Sequence, residues 1–164
     1  MLTQADADVT LISLFDYAMP LYDPDHDIVS GPPPNAVKLK KMMAAHHGIF
    51  IASPEYNASV SPLLKNAIDW VSRVQDAGET QGQVYRETPF AIAAASNGKL
   101  GGTRCLQALR LVLSSCRALV IPNQLALSFA DDAYDDMDRL KHKADIAALQ
   151  AMLQQLVDVA QQMK

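Results

Sequence analysis

Residues 47–74, "HGIFIASPEYNASVSPLLKNAIDWVSRV", decide the fold. The run from 47 to 53 is apolar and rich in β-formers, which predicts a buried strand. Ser61 and Pro62 then supply an N-cap and a first helical residue whose missing N–H does no harm. An amphipathic helix is expected over 61–74, and it carries the only tryptophan, Trp70. Between strand and helix stand an acid, a phenol and an amide in a row, Glu55, Tyr56 and Asn57. A buried strand that opens onto such residues invites the question of what they hold.

Outward from this unit the two periodicities keep alternating. "ADVTLISLF" (7–15), "TPFAIAAAS" (88–96) and "RALVIPN" (117–123) read as strands, the last ended by its proline. "NAVKLKKMMAAH" (35–46) reads as a short helix capped by Asn35, with Val37, Leu39, Met42 and Met43 near one face and lysines opposite. "TRCLQALRLVLSSC" (103–116) is a further helix, and residues 136–164 form a long closing one with Leu140, Ala144, Met152, Leu156 and Val159 on its apolar side. Strands apolar on both faces, alternating with helices, imply a parallel sheet covered on both sides. The fold class expected is α/β, a three-layer sandwich in a single domain spanning 1–164. "SGPPPN" (30–35) is a stiff turn rather than a linker, while 76–88 and the acidic 128–138 read as solvated loops. The acidic run lacks the glycine and closing glutamate of a calcium loop.

Bulk properties narrow the function classes. A chain of 164 residues with 49% hydrophobic and 20% charged residues has one core's worth of material and is not a disordered tail. The net charge of −4 argues against nucleic acid as partner, and no apolar run approaches the roughly 18 residues of a membrane helix. A cytoplasmic address is the default expectation. Cys105 and Cys116 are spaced for neither a disulfide nor a shared metal on one helix, and packing thiols are expected. His46 and His47, adjacent in sequence, make a poor metal pair, so no metal site is expected. Arg73 and Arg104 read as solvated or salt-bridged.

In a parallel α/β sheet ligands sit beyond the C-terminal strand ends. Two of those ends have the composition of ligand loops, "SPEYNASVS" (53–61) and "SNGKLGGT" (96–103), and both lead into helix N-termini that favour electron-rich groups. The glycines at 98, 101 and 102 allow close backbone approach, yet match neither a Walker loop nor GxGxxG.

"SPEYNASVSPLLKNAIDWVSR" resembles the NADPH-dependent FMN reductase family of flavodoxin-like proteins, whose hallmark is a PEYN segment followed by a helix bearing LKNAIDW. The likeness extends to "LISLFDYAMPLYDPD" (11–25) and to residues 90–127. Family members begin with a strand and a Gly-Ser-x-Arg-x-x-Ser loop that holds the FMN phosphate, and this sequence starts at what would be their second strand. In the strand order 2-1-3-4-5 the first strand lies inside the sheet, between the second and the third. Strand 7–15 is then expected to pair directly with 47–53, to be joined to it by a strand from another chain, or to belong to a longer gene product.

By this resemblance the isoalloxazine ring would lie against Pro54, Glu55, Tyr56 and Asn57, with Ser96, Asn97, Gly98 and Lys99 on its other side. The chemistry implied is hydride transfer from NAD(P)H to FMN, then to a quinone, flavin, azo compound or metal oxyanion. It requires no catalytic side chain. Leu64, Asp69 and Trp70 would form a homodimer or homotetramer surface. The residues alone also allow Glu55 to cap the following helix and Asn57 to do turn work, and a shortened chain without FMN would serve only as a binding or structural module.

Overall fold

The computed structural model describes residues 7–163. Six helices, α1 (Pro24–Ser30), α2 (Pro34–Ala44), α3 (Pro62–Val71), α4 (Gln83–Glu87), α5 (Thr103–Ser115) and α6 (Lys143–Gln162), surround four strands. The strands are β1 (Ile49–Tyr56), β2 (Ser59–Val60), β3 (Pro89–Ala95) and β4 (Leu119–Leu127), in the order β2-β1-β3-β4. β1, β3 and β4 are parallel, with Ile49 opposite Phe90 and Pro54 opposite Ala95; β2 is a short antiparallel return on the tip of β1.

Alternation along β3 builds the layers. Phe90, Ile92 and Ala94 pack with Leu64, Ile68 and Val71 of α3 and with Leu106, Leu109 and Leu113 of α5. Ala91 and Ala93 face the other way, onto Met152, Leu153 and Leu156 of α6. The expected α/β layering with a flavodoxin-like arrangement is therefore present, one face carrying several helices and the other α6. Among the described residues no helix is long and apolar enough to cross a membrane.

The expected strand at 7–15 does not form. Residues 7–13 have no regular structure and Leu14–Tyr17 make a 3-10 turn capped by Ser13. The residues have strand-forming side chains, but residues 7–12 share no backbone hydrogen bond with any described residue, and a strand exists only as one side of a ladder. Leu11 is left 92% exposed.

Two strands run past a proline and beyond the ends expected for them, 53 for the one and 123, a stop assigned to its proline, for the other. β1 continues through Pro54 to Tyr56, which is possible because edge strands tolerate a missing N–H. β4 continues through Pro122 to Leu127, and the pairing shifts between Val120 and Gln124, so Pro122 sits in a bulge on a sheet edge. Elsewhere local chemistry redirects the helices. α2 starts at Pro34 after an uncapped Pro33, and Asn35 Nδ2 instead donates to Ala18 O (2.8 Å). α6 starts at Lys143, not 136, because Asp135 Oδ1 accepts the N–H groups of Met137 and Arg139 and closes a turn there. α1 was not expected, although Asp23 as N-cap and Pro24 at the first position are its signature.

Lys40, assigned by pattern to the solvent side of α2, is 3% exposed. Its ammonium meets Asp76 Oδ2 at 2.5 Å and Glu79 Oε1 at 2.6 Å. Burial works against its charge, but the hydrogen bonds it donates to the two carboxylates, and their negative charge, outweigh that and raise its pKa. The 76–82 loop is thus fastened to α2 by a cation.

Candidate functional site

Parallel register places the ends of β1 and β3 side by side, Pro54 against Ala95. The tip of β1 is a hairpin: Glu55 pairs with Val60 and Tyr56 with Ser59, and the two residues between them have positive φ, 49° at Asn57 and 61° at Ala58. That pair of left-handed residues is the turn a two-residue hairpin needs, so Asn57 does do turn work, and Ala58 does so at a steric cost. Tyr56 is 55% exposed, and Pro54 and Asn57 are also open to solvent.

The tip of β3 is fixed more tightly. Ser96 N–H donates to Leu127 O, and Ser96 O accepts Ala130 N–H, which carry the β4 side past the strand end. Asn97 Nδ2 donates to Asp131 Oδ2 (2.6 Å) while Asn97 Oδ1 accepts Asp131 N–H (3.0 Å), so both ends of its amide are used within the protein. Ser128 Oγ donates to Lys99 O, and Gly98 N–H donates to Ser96 Oγ. Gly101 and Gly102 have no substitute here: a Cβ on Gly101 would meet Ser128 N at 2.7 Å, and one on Gly102 would meet Ala94 Cβ at 2.5 Å. Lys99 is exposed and forms no ion pair with any described residue.

One contact joins the two tips. Cys105 N–H, in the first turn of α5, donates to Glu55 Oε2 at 2.9 Å. α5 has no side-chain cap of its own, since its N-cap is Gly102. Glu55 therefore caps a helix, as one reading of the residues allowed, but the helix is α5 and not the one that follows it in sequence. No spacing rule in the sequence points to that partner, fifty residues away. Beneath the contact the Cys105 thiol lies 3.6 Å from Ser53 Oγ and 3.5 Å from Pro54 O. Burial pushes its pKa up, only partly offset by the Ser53 hydrogen bond, which makes it a packing thiol; burial raises Cys116 likewise.

The eight residues expected around a ligand thus fall on two adjoining tips. What they offer is mainly backbone. The N–H groups of Asn57, Ala58, Asn97 and Lys99 have no partner among the described residues. Free amides on both sides, with the unpaired Lys99 ammonium beside one of them, suit a planar group bearing oxygen acceptors and partial negative charge. Two hollows of the described residues, about 150 Å³ near His46, His47 and Glu87 and about 650 Å³ near Tyr134 and Leu140, lie away from these tips. They contain no donor set like this one. No cluster of metal-ligating side chains occurs among the described residues.

The residues expected at an oligomer surface are placed otherwise. Trp70 is fully buried in its own chain: Nε1 donates to Pro20 O at 2.7 Å, and its ring meets Tyr22 edge-on with centroids 5.0 Å apart. Asn66, one helical turn earlier, donates to the same carbonyl and accepts Tyr22 N–H. Leu64 belongs to the core. Both are therefore committed inside the protomer, and Asp69, one-third exposed, is paired with Lys65. Asn66 and Trp70 were not expected to do this work, which is to pin the 20–22 loop.

A three-layer α/β protein with free donor groups gathered at the C-terminal strand ends has a flavodoxin-like fold. The chain belongs to the NADPH-dependent FMN reductase family, whose model matches residues 1–132. It is similar to a quinone reductase of Escherichia coli K12, 39% identical over 103 residues, covering 63% of this chain and 52% of the relative. It is similar also to the NAD(P)H-dependent FMN reductase PA1204 of Pseudomonas aeruginosa, 34% identical over 140 residues, covering 84% of this chain and 71% of the relative. In structure it resembles the flavoenzyme NAD(P)H:(acceptor) oxidoreductase FerB of Paracoccus denitrificans, with TM-score 0.79 and 21% identity over 99% of this chain and 85% of that one. The chain spans about half the length of the quinone reductases it matches.

Proposed function

We propose that this protein is an FMN-dependent NAD(P)H oxidoreductase acting on a small acceptor of the quinone class. Family membership and the quinone and FMN reductase relatives support this reading. The observation in the structure that carries it is the set of unpartnered N–H groups on two adjoining tips, Asn57 and Ala58 on one, Asn97 and Lys99 on the other. FMN, when bound, would accept a hydride from the nicotinamide and deliver the electrons to the acceptor.

The chain's own residues would do the holding. The free amides orient a ring edge, and Lys99 places positive charge where an anionic form or a nicotinamide phosphate would gather. Tyr56, more than half exposed at the hairpin end, would cover one side of a flat ligand. Glu55 keeps the tips together through α5 and is a positioning residue. No side chain need move a proton.

A homodimer or homotetramer belongs to the same proposal. Leu21, Ile28 and Val29, each more than four-fifths exposed, offer apolar surface for a second copy in place of the buried Leu64 and Trp70. A cytoplasmic location goes with it as well.

The test is direct. Purified protein titrated with FMN should gain a flavin-induced rise in melting temperature and oxidise NADH or NADPH with a quinone present. A protein that stays colourless, gains no stability at saturating FMN and oxidises neither nicotinamide would remove the proposal.

A further inference from the structure

Asparagine followed by glycine is a chemically fragile pair, and of the five asparagines in the chain only Asn97 has glycine next to it. The backbone nitrogen of the following residue can attack the side-chain carbonyl carbon. With no Cβ on Gly98, nothing crowds that approach or forbids the backbone angles that ring closure needs. Asn97 and Gly98 are both exposed at the tip of β3, open to the water the reaction consumes. Sequence and exposure favour the reaction.

The hydrogen bonds oppose it. One residue holds both ends of the carboxamide: Asp131 Oδ2 accepts from Asn97 Nδ2 at 2.6 Å, and Asp131 N–H donates to Asn97 Oδ1 at 3.0 Å. The nucleophile is engaged elsewhere, since Gly98 N–H donates to Ser96 Oγ at 3.3 Å. On either side of the pair, Ala130 N–H bonds Ser96 O and Ser128 Oγ bonds Lys99 O, which fastens residues 128–131 to the same turn. Attack needs the carboxamide swung off Asp131 and its carbon brought to the Gly98 nitrogen. Neither reactant is free to do this while the segment stays docked.

We propose that Asn97–Gly98 is a latent deamidation site which Asp131 keeps shut, and that its modification unfastens the β3 tip from residues 128–131. In the reaction a bond forms between Gly98 N and Asn97 Cγ, the Cγ–Nδ2 bond breaks, and the Gly98 amide proton leaves with Nδ2 as ammonia. Water then opens the succinimide at either carbonyl, giving aspartate or isoaspartate. Both products set a carboxylate against that of Asp131 where a donor stood, so attraction becomes repulsion. Isoaspartate also adds a carbon to the main chain between Ser96 and Gly98, which displaces the Lys99 carbonyl from Ser128.

Trypsin releases residues 87–99 as one fragment whose only side-chain amide is that of Asn97, so its mass and its chromatographic splitting report this position alone. During incubation of the full chain at mildly alkaline pH, Asp131→Ala should deamidate roughly tenfold faster than native wild type, the lower end for losing a hydrogen bond to a charged group. Asp131→Asn keeps a neutral acceptor and should fall between them. Asp132→Ala removes the neighbouring carboxylate, which pairs with Lys141 instead, and should match wild type. Asn97→Asp should lower the melting temperature, and combining it with Asp131→Asn, which exchanges the two partners, should restore it. Three results overturn the clamp: native wild type reacting as fast as the chain unfolded in urea, Asp131→Ala reacting no faster than wild type, or Asp132→Ala accelerating as much as Asp131→Ala. Asn97→Asp melting together with wild type overturns the unfastening. Flavin binding enters none of these readouts, so their failure is separate from failure of the proposed enzymatic function.

Discussion

Glu55→Ala should destabilise the protein through a helix that lies fifty residues further along the chain. The wild-type carboxylate accepts the N–H of Cys105 at 2.9 Å, and that residue is fully buried at the start of α5, whose N-cap Gly102 contributes no side-chain bond. Removing the acceptor orphans a buried N–H, at about 1–3 kcal/mol. Glu55→Gln keeps an acceptor and forfeits the charge at the helix terminus, about 0.3–1 kcal/mol. With a urea m-value of about 2 kcal/mol/M, the midpoints should fall by roughly 0.5–1.5 M for alanine and 0.2–0.5 M for glutamine. Circular dichroism at 222 nm, with unchanged m, reads both. Alanine within about 0.2 M of wild type would refute the cross-tip cap. If the proposed function holds, FMN affinity should follow the same order, because the contact sets the spacing of the two tips.

Ala58→Gly relieves a left-handed alanine and should stabilise by about 1 kcal/mol, raising the urea midpoint; an unchanged or lower midpoint would contradict the turn geometry. Trp70→Phe loses the bond to Pro20 O and part of the packing on Tyr22, and a loss of about 1.5–3 kcal/mol is expected by circular dichroism. The Lys40 cluster gives a pH signature. Asp76 is held below its usual pKa by the hydrogen bond from Lys40, and Glu79 by the Asp76 N–H and then by Lys40. Depressed carboxylates stabilise above their unfolded pKa, and that contribution is lost as pH falls from about 4 through the folded values. Melting temperature should therefore drop across that range, and Lys40→Met should flatten the drop; an equal slope in both proteins would show that the cluster does not couple to folding. The raised thiol pKa values of Cys105 and Cys116 predict slow reaction with a disulfide reagent at pH 8 in the native state and rapid reaction in denaturant.

The unit at 47–74 was legible because its signals are local: an apolar run, then Ser61 accepting Leu64 N–H, with Pro62 at the first helical position. β3 and α5 were legible for the same reason. The signals that misled were also local, and a neighbour decided each one. Proline ends a strand only if a ladder needs its N–H, and Pro54 and Pro122 lie on edges. Lysine faces solvent unless acids come to it, and Asp76 and Glu79 do so from a loop 36 and 39 residues away. The site shows the same division. Residue type located the two tips. Which amides stay free, that Asn97 is spent on Asp131, and that Glu55 belongs to α5 are properties of the assembled sheet.

Segment 7–15 carries this furthest. Its alternation is as strand-like as that of 47–53, yet one becomes β1 and the other stays unpaired, because β3 forms a ladder with β1 and residues 7–12 share no backbone hydrogen bond with any described residue. A strand is a property of two segments, and side chains on one of them set only its readiness. The family motif on α3 makes a matching point from the opposite direction. Asn66 and Trp70 both bind Pro20 O, which holds the chain leaving 7–15 on its course along the sheet even without a ladder. Residues 20–22 are therefore kept in position by these side-chain bonds to α3 rather than by a ladder.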